Sequence, residues 1–518
     1  MIMRKLIALS ILIITCNSFA QISEKQVDEL VENTLKSFNV PGIAVAIVKD
    51  GKIVLSKGYG VKSIQTKEKV DANTLFGIAS NSKAFTTAAL AMLVDEKKLN
   101  WDDKVLQYLP DFKMYNEYVT NEFTIRDLVT HRSGLGLGAG DLMIWPDGSD
   151  FKATDIIRNL QYLKPVSAFR TKYDYDNLLY IVAGEVIAKV SGKSWCDFIE
   201  DRIMKPLEMN NSAASFVRLK DSTNIIAPHV PTDGKLKIIS RYKNQTFDAA
   251  AGIYSSVNDL SKWMIMQLQN GKYGPEKQYQ LFSKKEQNEM WQMQTIIPVN
   301  TRPPYNTHFS GYGLGWFLSD VKGYKQVTHT GGLEGIVTQT TLFQELNLGI
   351  VVLTNQQSGA AFSAITNTIK DSYLEIPYTN YVEIYSKREK DNIADADKTT
   401  TEVWATVAKN LKDKLKIDNK KYTGLYVDNW FGKIDLSEKK GKLFFKSIRS
   451  PQLVGEVFFY KDNTFTVKWN TRSFNADAFL LFEVDEKGVS IGLKMKPISD
   501  LTDFSYDFQD LDFVRVKE

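Results

Sequence analysis

The chain contains little cysteine and little histidine, with two cysteines and four histidines among 518 residues. Cys16 falls in an apolar N-terminal segment, so a chain that has lost this segment keeps Cys196 alone and has no internal disulfide. One cysteine and four histidines far apart in the sequence do not match the spacing of a zinc cluster. We therefore expect no metal site and no cofactor.

Neither sign of charge predominates. The 65 lysines and arginines face 61 aspartates and glutamates, for a net charge of +4. Loss of Arg4 and Lys5 with the N-terminal segment leaves 63 basic residues and a net charge of +2. Nucleic-acid binding depends on a basic face that neutralises phosphates, and the sequence has no basic stripe. This balance argues against a nucleic-acid partner.

The sequence also lacks an apolar run long enough for a transmembrane span. The N-terminal run 6–14 is too short to cross a bilayer. It follows two basic residues and precedes the small residues Ser18 and Ala20, which is the pattern of a signal peptide. We predict a signal peptide over 1–20 and a secreted or periplasmic protein. Lipid attachment at Cys16 is the weaker alternative, because the small residues just after it offer the better cleavage site.

The length suggests two or three domains, and 43% hydrophobic and 12% aromatic residues can build real cores. In residues 21–372, strand patterns at both ends surround a helical middle. This order predicts an α+β domain, in which helices flank an antiparallel sheet and form a helical subdomain.

The character of the sequence changes after residue 372. Residues 373–421 are rich in lysine, aspartate and threonine, which predicts a linker with one exposed helix. Short alternating strands in 422–518 predict a small all-β domain, a barrel or a sandwich. Because the linker carries no apolar run that joins two cores, we expect the C-terminal unit to fold separately.

Ser80 and Lys83 are the first candidates for catalysis. An apolar stretch precedes Ser80, and a largely uncharged helical pattern follows it. Residues three apart share one face of a helix, so the Lys83 amine can reach the Ser80 hydroxyl. A serine becomes a nucleophile when a base takes its proton, and a lysine with a lowered pKa can do so. The same spacing occurs at four other serines, among them Ser149, so the alternative is an ordinary surface pair.

Two further motifs follow along the chain. Tyr175-Asp176-Asn177 begins a predicted helix, and His329-Thr330-Gly331-Gly332 lies on a predicted strand. Alone, each has an ordinary alternative: the tyrosine of an amphipathic helix, and glycines that mark a bulge or a turn.

Taken in this order, the three motifs resemble those of the serine β-lactamase and penicillin-binding protein superfamily. They look most like the class C β-lactamases, D-alanyl-D-alanine carboxypeptidases, D-aminopeptidases and related esterases. The resemblance runs from about residue 22 to 372 and includes Thr130-His-Arg-Ser-Gly-Leu and Tyr312-Gly-Leu-Gly-Trp. It implies a β-lactamase/transpeptidase-like fold. The C-terminal unit resembles the lipocalin-like barrels attached to some of these hydrolases.

The resemblance also implies catalytic roles. Ser80 would form the acyl-enzyme, Lys83 would take its proton, and Tyr175 would be the partner base. The charge of the nearby lysine would lower the pKa of the Tyr175 phenol from its usual value of about 10. The backbone N–H groups of Ser80 and Gly332 would form the oxyanion hole.

The remaining motif residues are implied to bind substrate. Asn177 would hydrogen-bond the substrate amide. His329 and Thr330 would face the far end of the substrate, and Gly331 and Gly332 would line the same strand.

Two departures from the family pattern lower the expectation of efficient β-lactam hydrolysis. His329 stands where β-lactamases usually carry lysine, and a histidine with a pKa near about 6.5 gains its charge only as the pH falls towards 6. We therefore expect weak recognition of substrate carboxylates at neutral pH. No deacylating glutamate can be placed by motif, and Glu185 on the middle helix is interpreted as a solvated or structural carboxylate.

The sequence thus predicts a secreted serine hydrolase that acts through an acyl-enzyme on a small-molecule or peptide substrate. D-residue peptides, peptidoglycan fragments, β-lactams and small esters all remain open, as does oligomerisation. The alternative is a non-catalytic penicillin-binding-like or partner-binding protein on the same fold, with the barrel as its binding module.

Overall fold

The structure is a computed structural model and describes residues 21–517. The predicted signal peptide, with Cys16, lies outside these residues, so cleavage and export stay predictions. Within 21–517, no helix has both the length and the apolar composition that crossing a membrane requires.

An eight-stranded antiparallel sheet forms the centre of the N-terminal domain. In chain order its strands are β1 Gly42–Lys49, β2 Lys52–Gly60, β3 Thr295–Ile296, β4 Ser310–Tyr312, β5 Phe317–Val321, β6 Tyr324–Leu333, β7 Ile336–Phe343 and β8 Leu348–Thr354. Their order across the sheet is β2-β1-β8-β7-β6-β5-β4-β3. Strand β1, near the start of the chain, therefore pairs with β8, the last strand of this sheet, and the antiparallel sheet with its helices confirms the predicted α+β class.

Strand β1 shows that this sheet is covered on both faces. Ile43 and Ile47 point into the core beneath one layer of helices. Ala44 and Val48 alternate with them and join the core on the opposite face. A strand buried on both faces reads as a continuous apolar run, which is what β1 shows.

Helices surround the sheet and fill the middle of the domain. The longer ones are α1 Glu24–Ser37, α2 Ser82–Asp95, α3 Leu178–Ser191, α4 Val257–Leu268, α5 Gly359–Tyr373 and α6 Tyr381–Lys412. Shorter helices are Glu117–Glu122, Ile125–Leu128, Ala153–Asn159, Trp195–Ile199, Asp248–Ala251 and Lys284–Met290. Helices α1 and α5 cover one face of the sheet and α4 covers the other, while α2 and α3 pack together in the helical subdomain.

The C-terminal unit is a closed antiparallel barrel. Its strands are β9 Gly424–Asp428, β10 Gly432–Lys439, β11 Lys442–Ser447, β12 Val454–Lys461, β13 Thr464–Trp469, β14 Ala478–Val484, β15 Ser490–Pro497 and β16 Asp512–Arg515. Short strand pairs outside the sheet and barrel are Phe76–Gly77 with Tyr254–Ser255, His229–Thr232 with Lys235–Ile238, and Lys272–Tyr273 with Tyr279–Gln280. Of the two alternatives for the C-terminal unit, the structure confirms the barrel.

Most of the predicted linker is the 32-residue helix α6. Its first residues, Tyr381 and Val382, are buried against the N-terminal domain. Near its other end Val407 is buried, and the Trp404 ring lies 5.7 Å from the ring of Phe458 on β12. The helix therefore contacts both domains, although its charged sequence indicates exposure.

The apolar cores of the two domains are continuous. The ring centroids of Phe151 and Phe431 lie 6.3 Å apart across the boundary, and those of Trp145 and Tyr506 lie 6.4 Å apart. The linker therefore does not keep two cores apart, and separate folding of the C-terminal unit stays a prediction. Much of this contact comes from residues 498–511, the connection between β15 and β16, which we call the inserted segment.

Candidate active site

Ser80 lies on a tight turn between the short strand Phe76–Gly77 and helix α2. Ala79 precedes it with a φ of 51°, a left-handed conformation that costs free energy in a residue with a Cβ. The turn leaves Ser80 partly exposed at the start of a helix whose residues 82–93 are buried throughout. A strained turn of this kind presents one side chain to a cleft while the helix behind it stays rigid.

The Lys83 side chain is fully buried one helical turn beyond Ser80. Its Nζ donates hydrogen bonds to Ser80 Oγ at 3.0 Å, to Asn177 Oδ1 at 2.8 Å and to the Ala250 carbonyl at 3.2 Å. Burial lowers the pKa of Lys83 to about 7, and the carboxyl groups of Asp141 and Asp176 partly oppose this shift. An appreciable fraction of the amine is therefore neutral near pH 7 and able to accept a proton.

Tyr175 contacts the same amine. Its side chain is 8% exposed, and its ring centroid lies 4.8 Å from Lys83 Nζ. Burial raises the pKa of the Tyr175 phenol well above its usual value, and a hydrogen bond from Ser80 only partly opposes the shift. The expected lowering of this pKa is therefore wrong, because burial outweighs the charge of a lysine that is itself partly neutral. Tyr175 is a neutral phenol that can donate a hydrogen bond or relay a proton.

The Tyr175 ring is fixed by an aromatic cluster. The His131 ring lies 4.2 Å from the Tyr175 ring and 4.5 Å from the Tyr312 ring. His131 Nδ1 accepts a hydrogen bond from the backbone N–H of Asp176 at 3.0 Å. Burial holds the pKa of His131 well below its usual value, so this imidazole is neutral.

Asn177 has protein partners on both sides of its buried amide. Its Oδ1 accepts from Lys83, and its Nδ2 donates to Asp141 Oδ2 at 2.8 Å. The side chain therefore links the lysine to a carboxyl group, whatever further bond it makes to a substrate.

Asp141 is a residue of this site that sequence reasoning missed. It is fully buried, and besides Asn177 its Oδ2 accepts a hydrogen bond from Ser505 Oγ at 3.0 Å. Burial, supported by the nearby Asp176 carboxyl, raises the pKa of Asp141 well above its usual value. The sequence signal for this residue is its position, a single aspartate between the glycine-rich loop and the apolar run 142–145.

Successive side chains of strand β6 point to opposite sides of the strand, one buried and one exposed. His329 is 1% exposed and points into the aromatic cluster, where its Nε2 lies 2.9 Å from the Tyr312 hydroxyl and its Nδ1 lies 2.6 Å from the Thr330 carbonyl. Thr330 and Gly332 are on the exposed side of the strand. Of the two residues expected to face the far end of the substrate, only Thr330 is exposed.

Burial lowers the pKa of His329 to about 3, and the charge of Lys83 adds to the shift. The expectation that His329 gains its charge near pH 6 is therefore wrong. A buried imidazole among aromatic rings loses the hydration that stabilises its charged form.

Gly331 and Gly332 differ in their surroundings. A Cβ on Gly331 would lie 2.2 Å from the Ile78 carbonyl and 2.5 Å from Thr338 Oγ1, whereas a Cβ on Gly332 would meet open space. Gly331 thus allows β6 to pack directly against the turn that carries Ser80. Thr338 Oγ1 donates to the Ile78 carbonyl at 2.9 Å and secures the same turn to β7.

A serine and a lysine one helical turn apart, a buried tyrosine beside them and a strand with exposed Thr330 and Gly332 define the β-lactamase/transpeptidase class of fold. The chain belongs to the β-lactamase family. Residues 27–374 match the family described as "Beta-lactamase". Residues 412–515 match a domain of unknown function, DUF3471.

Several known proteins are similar to this chain. It is 30% identical over 392 residues to "Unguisins hydrolase ungD'" of Aspergillus campestris, an alignment that covers 72% of this chain and 70% of that protein. It is 30% identical over 343 residues to "Protein flp" of Staphylococcus aureus strain MW2, covering 65% of this chain and 64% of that one. The octameric penicillin-binding protein homologue from Pyrococcus abyssi aligns with a TM-score of 0.62 at 21% identity, covering 95% of this chain and 100% of that chain. Together these matches support a hydrolase of this fold.

Proposed function

We propose that the protein is a serine hydrolase in which Ser80 forms an acyl-enzyme with an amide or ester substrate. The observation that carries this proposal is the contact between Lys83 and Ser80. The buried amine lies 3.0 Å from the hydroxyl oxygen, and burial brings its pKa to about 7. A base of matched pKa within hydrogen-bond reach is what a serine nucleophile requires.

The proposed acylation moves one proton and exchanges one bond. Ser80 Oγ attacks the substrate carbonyl carbon while its proton passes to the neutral Lys83 amine. The Ser80 and Gly332 N–H groups hydrogen-bond the oxyanion that develops. The bond to the leaving amine or alcohol then breaks, and the leaving group takes a proton relayed from Lys83 through the Tyr175 hydroxyl. In the second half-reaction a water molecule gives a proton to the same base and attacks the acyl carbon. The bond to Ser80 Oγ then breaks, Ser80 regains its proton, and the acid is released.

The groups that surround the cleft favour substrates without a required carboxylate. His329 is neutral and buried, and Thr330 is the exposed side chain beside it. An uncharged ester or amide therefore suits this surface better than a penicillin. The Aspergillus relative carries the name of an unguisins hydrolase, which supports hydrolysis as the reaction.

Export and self-assembly belong to the same proposal. The N-terminal sequence has the pattern of a signal peptide, which supports a secreted or periplasmic enzyme that begins at Gln21. The octameric state of the Pyrococcus homologue supports assembly of this chain. Intact-mass analysis of the exported protein and light scattering test the two points.

Covalent labelling tests the central proposal. The wild-type protein is incubated with a fluorophosphonate probe and separately with a fluorescent penicillin, and the modified peptide is identified by mass spectrometry. We expect fluorophosphonate labelling at Ser80, weaker labelling by the penicillin, and neither in Ser80→Ala. Labelling that persists in Ser80→Ala, or that is absent from a folded wild-type protein, contradicts the proposal.

A further inference from the structure

The inserted segment of the barrel domain reaches the residues behind the active site. Ser505 Oγ donates a hydrogen bond to Asp141 Oδ2 at 3.0 Å. Two residues further on, the Asp507 carboxylate accepts hydrogen bonds from the N–H groups of Gly140 at 2.7 Å and Leu142 at 2.9 Å. These bonds join positions more than 360 residues apart, and both side chains of the inserted segment are buried.

Asp141 connects these contacts to the candidate nucleophile. Asp507 holds the backbone on both sides of Asp141, and Ser505 holds its carboxyl group. Asp141 then accepts from Asn177, and Asn177 accepts from Lys83. An unbroken series of hydrogen bonds therefore runs from the barrel domain to the amine beside Ser80.

The burial of two carboxyl groups at this point is costly for folding. Asp141 and Asp507 are both fully buried, and burial raises the pKa of each carboxyl group well above its usual value. Apolar residues of the same volume would join two domains with less desolvation. The polar contact therefore calls for a role other than adhesion between the domains.

We propose that Ser505 and Asp507 are positioning residues of the active site, through which the barrel domain holds Asp141 and, by way of Asn177, sets the Lys83 amine against the Ser80 hydroxyl. This inference rests on the proposed acyl-enzyme chemistry. It assigns the barrel a part in catalysis that the motif residues, all in the N-terminal domain, do not reveal.

Full-length variants test the inference. Ser505→Ala removes the hydrogen bond to Asp141, and Ser505→Thr keeps the hydroxyl. Ser499→Ala, which alters another hydroxyl of the inserted segment that accepts only a local bond from Leu501 N–H, is the matched control. Because a hydrogen bond to a carboxyl group is lost, we expect Ser505→Ala to lower the rate of acylation by fluorophosphonate roughly tenfold. Ser505→Thr should recover most of the rate, and Ser499→Ala should match the wild type.

The pH profile of acylation separates positioning from a general loss of structure. Acylation should increase with pH through the titration of Lys83, which is faced by Asp141, Asp176, His131 and His329. The Ser505 hydroxyl favours the ionised form of Asp141, and negative charge on Asp141 raises the pKa of Lys83. Removing the hydroxyl should therefore move the midpoint of the profile to lower pH, a shift that misfolding alone does not produce.

Each outcome decides between the alternatives. A slower Ser505→Ala with a lowered midpoint and recovery in Ser505→Thr supports the inference. A Ser505→Ala protein with the wild-type rate and midpoint overturns it, and so does a slower protein whose midpoint is unmoved. Asp507→Asn repeats the test, and Asp500→Asn, at an exposed position of the same segment, is its control. If Asp507→Asn does not fold, the comparison of Ser505→Ala with Ser505→Thr decides. A wild-type protein that never labels refutes the acyl-enzyme proposal itself, and this inference with it.

Discussion

The amine of Lys83 lies 4.8 Å from the centre of the Tyr175 ring, in a site where burial disfavours the charged form of each. A lysine that is charged in the unfolded chain and partly neutral in the folded one links stability to pH. Folding lowers the pKa of Lys83 from 10.5 to about 7. Between these two values the unfolded chain binds a proton that the folded chain does not, so stability rises with pH across this window.

Lys83→Met should remove this pH dependence. Below about pH 7 the wild-type protein carries the full cost of a buried ammonium, so the variant should have the higher Tm there, and the difference should shrink towards pH 10. Thermal unfolding of both proteins from pH 6 to 10 measures this difference in Tm. Lys113→Met, an exposed lysine, is the control and should show no such trend. A difference in Tm that is constant with pH contradicts the assigned shift.

Tyr175→Phe should separate the phenol from the ring. The ring keeps its packing on His131, so stability should change little, while loss of the proton relay should slow acylation by about 10²–10⁴-fold. Tyr180→Phe is the matched control. The Tyr180 hydroxyl donates to the Val129 carbonyl at 2.9 Å, so its loss should cost about 1 kcal/mol of stability and leave acylation within a few-fold. Equal loss of acylation in both variants would remove Tyr175 from the mechanism.

The local parts of the site could be predicted from the sequence. Ser80 and Lys83 are three positions apart on one helix, so helical geometry alone brings their side chains together. The alternating burial along β6 follows from the period of a strand. The spacing of residues could not predict pKa values, because the burial of Tyr175 and His329 depends on elements that pack on them from elsewhere in the chain.

Long-range contacts were beyond the sequence for a different reason. Asp141 and Ser505 are 364 positions apart, and neither belongs to a periodic pattern that fixes where its side chain points. The inserted segment reads as an ordinary connection between two barrel strands. The contacts of helix α6 with both domains could not be predicted, because its exposed, charged positions outnumber the few buried residues that make them.

Gly331→Ala and Gly332→Ala form a second matched pair. A methyl group at Gly331 would lie 2.2 Å from the Ile78 carbonyl, so either β6 or the Ser80 turn must shift. We expect a loss of about 1–3 kcal/mol in stability and a severe loss of fluorophosphonate labelling. Gly332→Ala places its methyl group in open space and keeps its N–H, so its Tm should match the wild type and its labelling should stay within a few-fold. Similar Tm values for both variants would contradict the close packing at Gly331.

The neutrality of His329 predicts how substrate choice depends on pH. With its pKa lowered to about 3, the imidazole should not change its charge between pH 6 and 8. The ratio of acylation efficiencies for a carboxylic acid substrate and its methyl ester should therefore be flat across that range. Competition kinetics with the matched pair measures the ratio. A preference for the acid that grows towards pH 6, and that disappears in His329→Ala, would show that the imidazole is charged after all.

Phe504 of the inserted segment should limit the size of the acyl group. Its side chain is 41% exposed, and its ring stands edge-on to Tyr175 with the centroids 5.9 Å apart. The backbone of Phe504 packs on Gly138, where an added Cβ would lie 2.7 Å from the Phe504 carbonyl oxygen. This close packing fixes the ring beside Tyr175.

Phe504→Ala should therefore widen the cleft next to Ser80. Relative kcat/KM for a branched acyl ester against the acetyl ester of the same alcohol should increase roughly tenfold, because one apolar group more or less in a pocket changes selectivity by about that factor. Leu501→Ala is the control, since Leu501 is an exposed apolar residue of the same segment and is 52% exposed. Its selectivity should equal that of the wild type. An unchanged ratio in Phe504→Ala, or an equal change in Leu501→Ala, would show that Phe504 does not border the acyl group.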